Sequence, residues 1–351
     1  MDRSYFLGLA AAGLRMPICA DLVLHELPDA EAVRLDARRL GRVVEETARR
    51  YGTPLAMPLM DLRLEKAGLL AQLGIEDETF QFAGPPSDAD VERVRAAAVP
   101  FGPATQAHIG SIRYIAEETD LTPVGMVIGP FSLATKLVAD PITPLALAGM
   151  CVTAEEDPGV RLIERCLEMA EAEVARACEA QLRAGARAVV VCEPAANVVY
   201  ISPKQMAAGA DTFERFVIAP NLRLRDRLAA AGAALIFHDC GQLCDAMVRA
   251  FGERLHPEML SFGSSRRLWE DAALVPKDVV LLGNLPTKSY YSDAAMPVEK
   301  VVALADELVE RMRGAGHPFI LGSECDVLHV PEAAETIRRK VDAVFRVHVV
   351  R

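Results

Sequence analysis

The chain lacks clustered positive charge, a membrane-length apolar run and a nucleotide-binding glycine loop. A formal net charge of −11 over 351 residues offers no footprint for nucleic acid, because phosphate binding needs a concentrated basic face. The densest basic stretch, Arg223, Arg225 and Arg227, is interleaved with Asp226 and three leucines and reads as a solvated helix face. No apolar run is long enough for a membrane span, and Met1–Arg15 has no signal-peptide pattern; a cytoplasmic protein with no membrane partner is expected. No Gly-x-Gly-x-x-Gly follows the first strands and no Walker-type loop occurs, which removes the usual support for nucleotide binding. There is no internal repeat and no linker, so residues 1–351 are expected to form a single domain. The eight cysteines sit in apolar or helical sequence and are expected to be reduced thiols.

What is present is an alternation of short apolar runs with amphipathic helices, in a chain 51% hydrophobic and 25% charged. The expected strands are Leu55–Leu59, Val124–Ile128, Ala188–Cys192, Leu235–His238, Met259–Phe262, Val279–Leu282 and Phe319–Leu321. Expected helices include Glu155–Ala184, Pro220–Ala231, Gly241–Phe251, Pro297–Gly314 and Pro331–Phe345. Pro220 and Pro331 suit first helical turns, Thr153 and Glu156 fit a capping box, and Ala-Gly pairs mark helix ends. Repeated strand–helix units imply parallel strands with right-handed crossovers, and at this length an α/β (β/α)8 TIM barrel. Residues 1–50 read as a helical N-terminal extension capping the barrel bottom, and Phe80–Pro103 as a loop or small insertion near the mouth.

Two expected strands end in residues with ligand chemistry. His238 and Cys240 are two apart at the end of Ala233–Phe237, and Cys325 follows Pro318–Leu321. In one parallel barrel these strand ends share a face, and Gly241 permits the tight turn after the pair. One imidazole and two thiolates suit Zn²⁺, with the fourth tetrahedral position open as in catalytic sites. Cys244, one helical turn beyond Cys240, is an alternative ligand to Cys325; Cys19, Cys151, Cys166, Cys178 and Cys192 have no ligand spacing.

Six segments occur in a telling order: Pro58-Leu-Met-Asp61-Leu, Gly129-Pro130-Phe131-Ser132-Leu-Ala, Ser202-Pro203, Phe237-His-Asp-Cys-Gly241, Leu282-Gly283-Asn284 and Gly322-Ser-Glu-Cys325. Through them the chain resembles the uroporphyrinogen decarboxylase superfamily, from about Met16 onward. Within it the chain is similar to the zinc-dependent branch that includes methylcobalamin:coenzyme M methyltransferases. The resemblance implies a TIM barrel with zinc on His238, Cys240 and Cys325. It also implies a small thiol such as coenzyme M as acceptor, and methylcobalamin or a methylated corrinoid protein as co-substrate. The bound thiolate would attack a methyl group on Co(III), leaving Co(I). No Asp-x-His-x-x-Gly segment is present, so the corrinoid would arrive on a separate partner or bind freely. A homodimer is the family's expectation.

Two departures qualify the resemblance. Decarboxylases grip propionates with an N-terminal Arg-Gln-Ala-Gly-Arg segment, where this chain has Gly13-Leu-Arg15-Met-Pro17; decarboxylation is therefore disfavoured. Related methyltransferases often add a carboxylate ligand after the strand following His-x-Cys, where this chain reads Leu260-Ser-Phe-Gly263-Ser-Ser265. Water or Glu324 is the alternative. Alkyl transfer from an epoxide, and methyl transfer from a small substrate to cob(I)alamin, remain open.

Other candidates follow from strand-end positions. Asp61 would orient the thiol or a metal-bound water, or cap a helix; Glu193 would bind substrate. Asn284 would donate to substrate or form a turn, and Tyr290 and Tyr291 would line the mouth. His329 is a candidate partner of the metal site or an exposed loop residue. His25, His108, His256, His317 and His348 carry no assigned role.

Overall fold

A computed structural model describes residues 1–346; His348 lies outside the described residues. Its strands are β1 Arg15–Met16, β2 Leu55–Ala56, β3 Thr122–Ile128, β4 Ala188–Cys192, β5 Ala234–Asp239, β6 Met259–Phe262, β7 Val280–Leu285 and β8 Phe319–Ser323. They lie in the order β1-β8-β7-β6-β5-β4-β3-β2, every neighbouring pair parallel. This is the expected (β/α)8 barrel, with its ladder left open between the two-residue strands β1 and β2. Parallel neighbours need crossovers, which the intervening helices supply.

Strands β4 and β6 coincide with their apolar runs. β5, β7 and β8 continue to Asp239, Leu285 and Ser323, because backbone pairing does not stop where side chains turn polar. β2 ends at Ala56, two residues before Pro58, which has no N–H to pair. Strand β1 carries almost no hydropathy signal, yet Arg15 and Met16 pair with Leu321 and Gly322. The first fifty residues are therefore only partly an extension. Helix Arg3–Ala11 closes the bottom, while helix Ala37–Arg50 packs against Pro103–Glu118 in the outer ring.

Helix boundaries also move, and one helix lies where a loop is expected. The long helix begins at Pro158, because Asp157 accepts from the N–H groups of Gly159 at 2.8 Å and Val160 at 3.0 Å. The Thr153 N–H to Glu156 bond forms just before it, at 2.9 Å. The helix expected at Gly241 starts at Asp245 and runs on as a π turn, Phe251–Leu255. Inside Phe80–Pro103 lies a helix, Asp88–Ala96, opened by a Ser87–Asp90 capping box.

The strands' period of two divides the core. Val124, Met126, Val190, Cys192, Ile236 and Leu282 point inward, and Phe6 of the bottom helix plugs the same cluster. Arg3 fastens that plug by donating to the carbonyls of Pro257 at 2.8 Å, His256 at 2.9 Å and Asp278 at 3.1 Å. Outward residues such as Val191, Phe237, Phe262 and Leu321 pack beneath the helices. Among the described residues no helix is long and apolar enough to cross a membrane.

Beneath the outer helices lie buried ionisable groups. Burial pushes Glu65 up to about 8 and Glu173 up to about 7, the latter opposed by Arg176, and holds His108 down at about 4. Gly68 makes room for Glu173, since a Cβ there would sit 2.1 Å from its Oε1. Folded Glu65 keeps its proton to about pH 8, whereas an unfolded carboxyl releases it near about pH 4.3. Its contribution to stability is therefore complete below the lower value and is lost as pH rises through the upper one. Glu65→Gln is expected to raise Tm at pH 8.5 and to change it little at pH 5, as measured by thermal melts across that range; parallel profiles for both proteins would refute the assignment.

Candidate metal centre

The inward parity of β5 places His238 beside Cys192 of β4 and Ser261 of β6 in the ladder. The ring is 1% exposed, with Nδ1 3.0 Å from the Ser261 hydroxyl and Nε2 buried without a hydrogen-bond partner. With Ser261 accepting from Nδ1–H, the Nε2 lone pair faces the cluster, as a metal-binding imidazole requires. An orphaned buried ring nitrogen is otherwise a cost.

Cys240 stands one residue past β5. Asp239, of outward parity, turns the chain by accepting from the Gly241 N–H at 2.7 Å. Gly241 is required by close approach, because a Cβ there would lie 2.6 Å from the Asn197 Cβ. Cys325, two residues past β8, arrives from the other side with its sulfur 3.8 Å from Met60 Sδ. The ligand atoms of His238, Cys240 and Cys325 all lie within 4.8 Å of one another, the one such group among the described residues. That span and donor set fit a tetrahedral N/S site.

The two sulfurs are strongly coupled. A hydrogen bond from Cys325 pulls the Cys240 thiol well below its usual value against the effect of burial, and His238 adds to the pull. The same bond and burial push Cys325 up. Nearby Lys288 favours charge on both sulfurs.

The remaining candidates separate into engaged and open groups. Glu193 is fully buried at the end of β4 and accepts from Phe131 N at 3.1 Å, Ser132 N at 2.8 Å and Asn221 Nδ2 at 2.9 Å. Burial raises its pKa against these bonds. Gly129 allows this contact, since a Cβ there would be 2.0 Å from the Glu193 Cδ. The Gly-Pro-Phe-Ser segment and Glu193 therefore form one structural lock, and both carboxylate oxygens serve it. Asn284 donates to Gly263 O at 2.8 Å and Arg266 O at 2.9 Å, tying β7 to the loop after β6. Tyr290 is wholly buried in the core, its hydroxyl unpartnered, whereas Tyr291 is 58% exposed beside the mouth. Of the two tyrosines, only Tyr291 lines a mouth cavity, because Tyr290 turns inward beneath the barrel helices.

Asp61 reaches the mouth and is paired with Arg63 at 2.7 and 2.6 Å. Burial acts to raise its carboxyl, but Arg63 outweighs it and holds the pKa below the ordinary range. Glu324 accepts from the Ser264 hydroxyl at 2.6 Å and from Lys288 N at 3.2 Å. Cys244 precedes its helix outside the group. His329 stacks on His25 with ring centroids 4.3 Å apart, and its N–H bonds Asp21. Ser261, Lys288 and Asp326 escaped sequence reasoning; for Ser261 the signal was its inward parity next to His238 in the ladder.

The sequence matches the family described as uroporphyrinogen decarboxylase (URO-D) over residues 32–347, and the chain belongs to that family. Among solved structures, a methyltransferase from Methanosarcina mazei is 18% identical with a TM-score of 0.66, over 97% of each chain. The apo form of 3-keto-D-glucoside 4-epimerase, YcjR, from E. coli is 15% identical with a TM-score of 0.39, over 76% of this chain and 97% of that one. No curated protein matches. Ser261→Ala is expected to weaken divalent-metal binding by about 10- to 100-fold while the fold is retained; chelator competition measures it, and an unchanged affinity would remove Ser261 from the site.

Proposed function

We propose that this member of the uroporphyrinogen decarboxylase family transfers a methyl group from a methylated corrinoid, carried by a separate protein, to a small thiol. The zinc ion would be held by His238, Cys240 and Cys325. The carrying observation is the convergence of these three side chains from β5 and β8 around an unpartnered His238 Nε2. Zinc bound there supplies Lewis acidity that brings a thiol's pKa down to neutral pH.

The chain's own groups support the rest. One imidazole and two thiolates cancel the charge of Zn²⁺, so an added substrate thiolate keeps its nucleophilic charge. Three mouth carboxylates are occupied elsewhere, Glu193 by backbone N–H groups and Asn221, Glu324 by Ser264 and Lys288, and Asp61 by Arg63, while Asp326 lies outside the group formed by His238, Cys240 and Cys325. That leaves a three-ligand set, the pattern of a site reserved for substrate. In the transfer the sulfur–carbon bond forms as the carbon–cobalt bond breaks. The bond pair stays on cobalt, taking Co(III) to Co(I), and the thiol proton leaves to solvent.

Arg15 weakens the decarboxylase alternative. It is the single arginine of the N-terminal segment, and its guanidinium donates to Val344 O at 3.1 Å, among residues lining a cavity away from the metal cluster. No propionate at the cluster would meet it.

Zinc content and thiol-dependent demethylation of methylcobalamin test the proposal together. About one zinc per chain and spectroscopic loss of methylcobalamin with a thiol are expected, and Cys240→Ala should abolish both. Full activity in zinc-free protein would overturn the mechanism. Zinc without demethylation would redirect the site to another electrophile, such as an epoxide, or to the reverse transfer.

A further inference from the structure

Two cavities of about 230 and 380 Å³ meet beside Cys325 and share Met60, Leu62, Asp326 and Leu328. The smaller contains Cys325 and is walled mainly by apolar side chains, with Lys288 at its edge. The larger is charged, lined by Asp21, Arg34, Asp61, Arg63 and Asp326. Met60 stands at their junction, its sulfur 3.8 Å from that of Cys325. A molecule with its sulfur at the metal cluster would extend past Met60 into the charged recess.

The signs in that recess are mixed in a specific way. Arg34 is paired with Asp21, and Arg63 uses Nε and Nη2 on Asp61, leaving Nη1 without an acceptor among the described residues. The third carboxyl has no such partner. Asp326 is 7% exposed, lines both cavities, and its Oδ1 is buried with no hydrogen-bond donor. A buried acceptor of this kind is costly unless a ligand supplies the donor.

A plain anion entering here meets three carboxyl groups, and a plain cation meets two guanidiniums. A head group bearing both charges meets a partner for each. We propose that the thiol substrate carries a zwitterionic α-amino-acid head group, with its ammonium donating to Asp326 and its carboxylate accepting from Arg34 and Arg63. The position of the sulfur rests on the function proposed above; the head-group site stands on its own residues. Arg63 keeps Nη1 for the carboxylate end while Nε and Nη2 stay on Asp61, and a guanidinium remains charged across the ordinary pH range.

Calorimetry on the full, metal-loaded chain tests this with L-homocysteine, mercaptopropionate, cysteamine and propanethiol. Homocysteine is expected to bind at least about tenfold tighter than each of the others, since a site built for polar groups rejects analogues lacking them. Asp326→Asn should erase the advantage over mercaptopropionate. Arg63→Met should weaken homocysteine and mercaptopropionate but spare cysteamine, which keeps the test decisive if the first variant misfolds. The same comparison with L-methionine, methylthiobutyrate and methylthiopropylamine on chelator-stripped protein removes any metal–sulfur bond. Equal binding of zwitterion and anion in both series would overturn the head-group site, even if thiols still altered the charge-transfer bands of cobalt(II)-substituted protein. If no thiol altered those bands but methionine kept its preference, the head-group site would stand and the metal–thiol function would fall.

Discussion

The parallel register of the strands is the constraint on which the rest of the structure depends. In a parallel barrel all C-terminal strand ends open on one rim, and along each strand every second side chain points inward. His238, Cys192 and Ser261 are thereby neighbours in the ladder, and Cys325 comes to the same rim from a strand nearly ninety residues on. A one-residue slip of β5 would exchange His238 for Asp239, turning the imidazole outward beneath the helices. The candidate metal group is thus a consequence of strand pairing more than of any local loop.

Register alone leaves the rim soft, and several hydrogen bonds stiffen it. Glu193 joins β4 to the segment after β3 and to Asn221 of the outer helices. Asn284 and Glu324 do comparable work between the ends of β6, β7 and β8. Both Glu193 oxygens and the Asn284 amide nitrogen are matched in these buried contacts, and such networks favour one arrangement over its alternatives. Glycine supplies the room: Gly129 against Glu193, Gly241 against Asn197, and Gly263 against Cys240 O, where a Cβ would come within 2.7 Å. The family's short segments are therefore legible as geometry. In this chain they shape much of the rim around His238, Cys240 and Cys325.

The barrel was readable in the sequence because its strands are apolar runs separated by well-terminated helices; β4 and β6 match residue for residue. The convergence of His238, Cys240 and Cys325 was readable because His and Cys at strand ends are chemically conspicuous. Strand β1 was not, since two residues, Arg15 and Met16, give no periodicity. Neither was the burial of Tyr290 or the engagement of Glu193, because a strand-end position fixes which rim a residue is on but not whether its side chain turns to the mouth or to the core. Ser261 gives no signal of its own, because a lone serine in an apolar strand is chemically inconspicuous, although its parity with His238 puts it in reach.

Charge at the rim decides what the site can take up. Glu193, Glu324 and Asp61 are bound to backbone donors, a serine or arginine, and no acid joins His238, Cys240 and Cys325 among the described residues. Lys288 instead lends positive potential to both sulfurs. A metal ion held by a nitrogen–sulfur set of this kind would favour a soft ligand in its remaining position over a hard carboxylate. The neighbouring cavity has the opposite character, with oxygen acceptors and guanidiniums and one buried carboxylate oxygen left without a donor. Soft chemistry at one end and paired hard charges at the other define a bifunctional ligand with sulfur and polar groups at opposite ends, separated by the width of Met60. A ligand with only one of these ends would leave the other half of the mouth unsatisfied, and selectivity in such a site comes from that unsatisfied half.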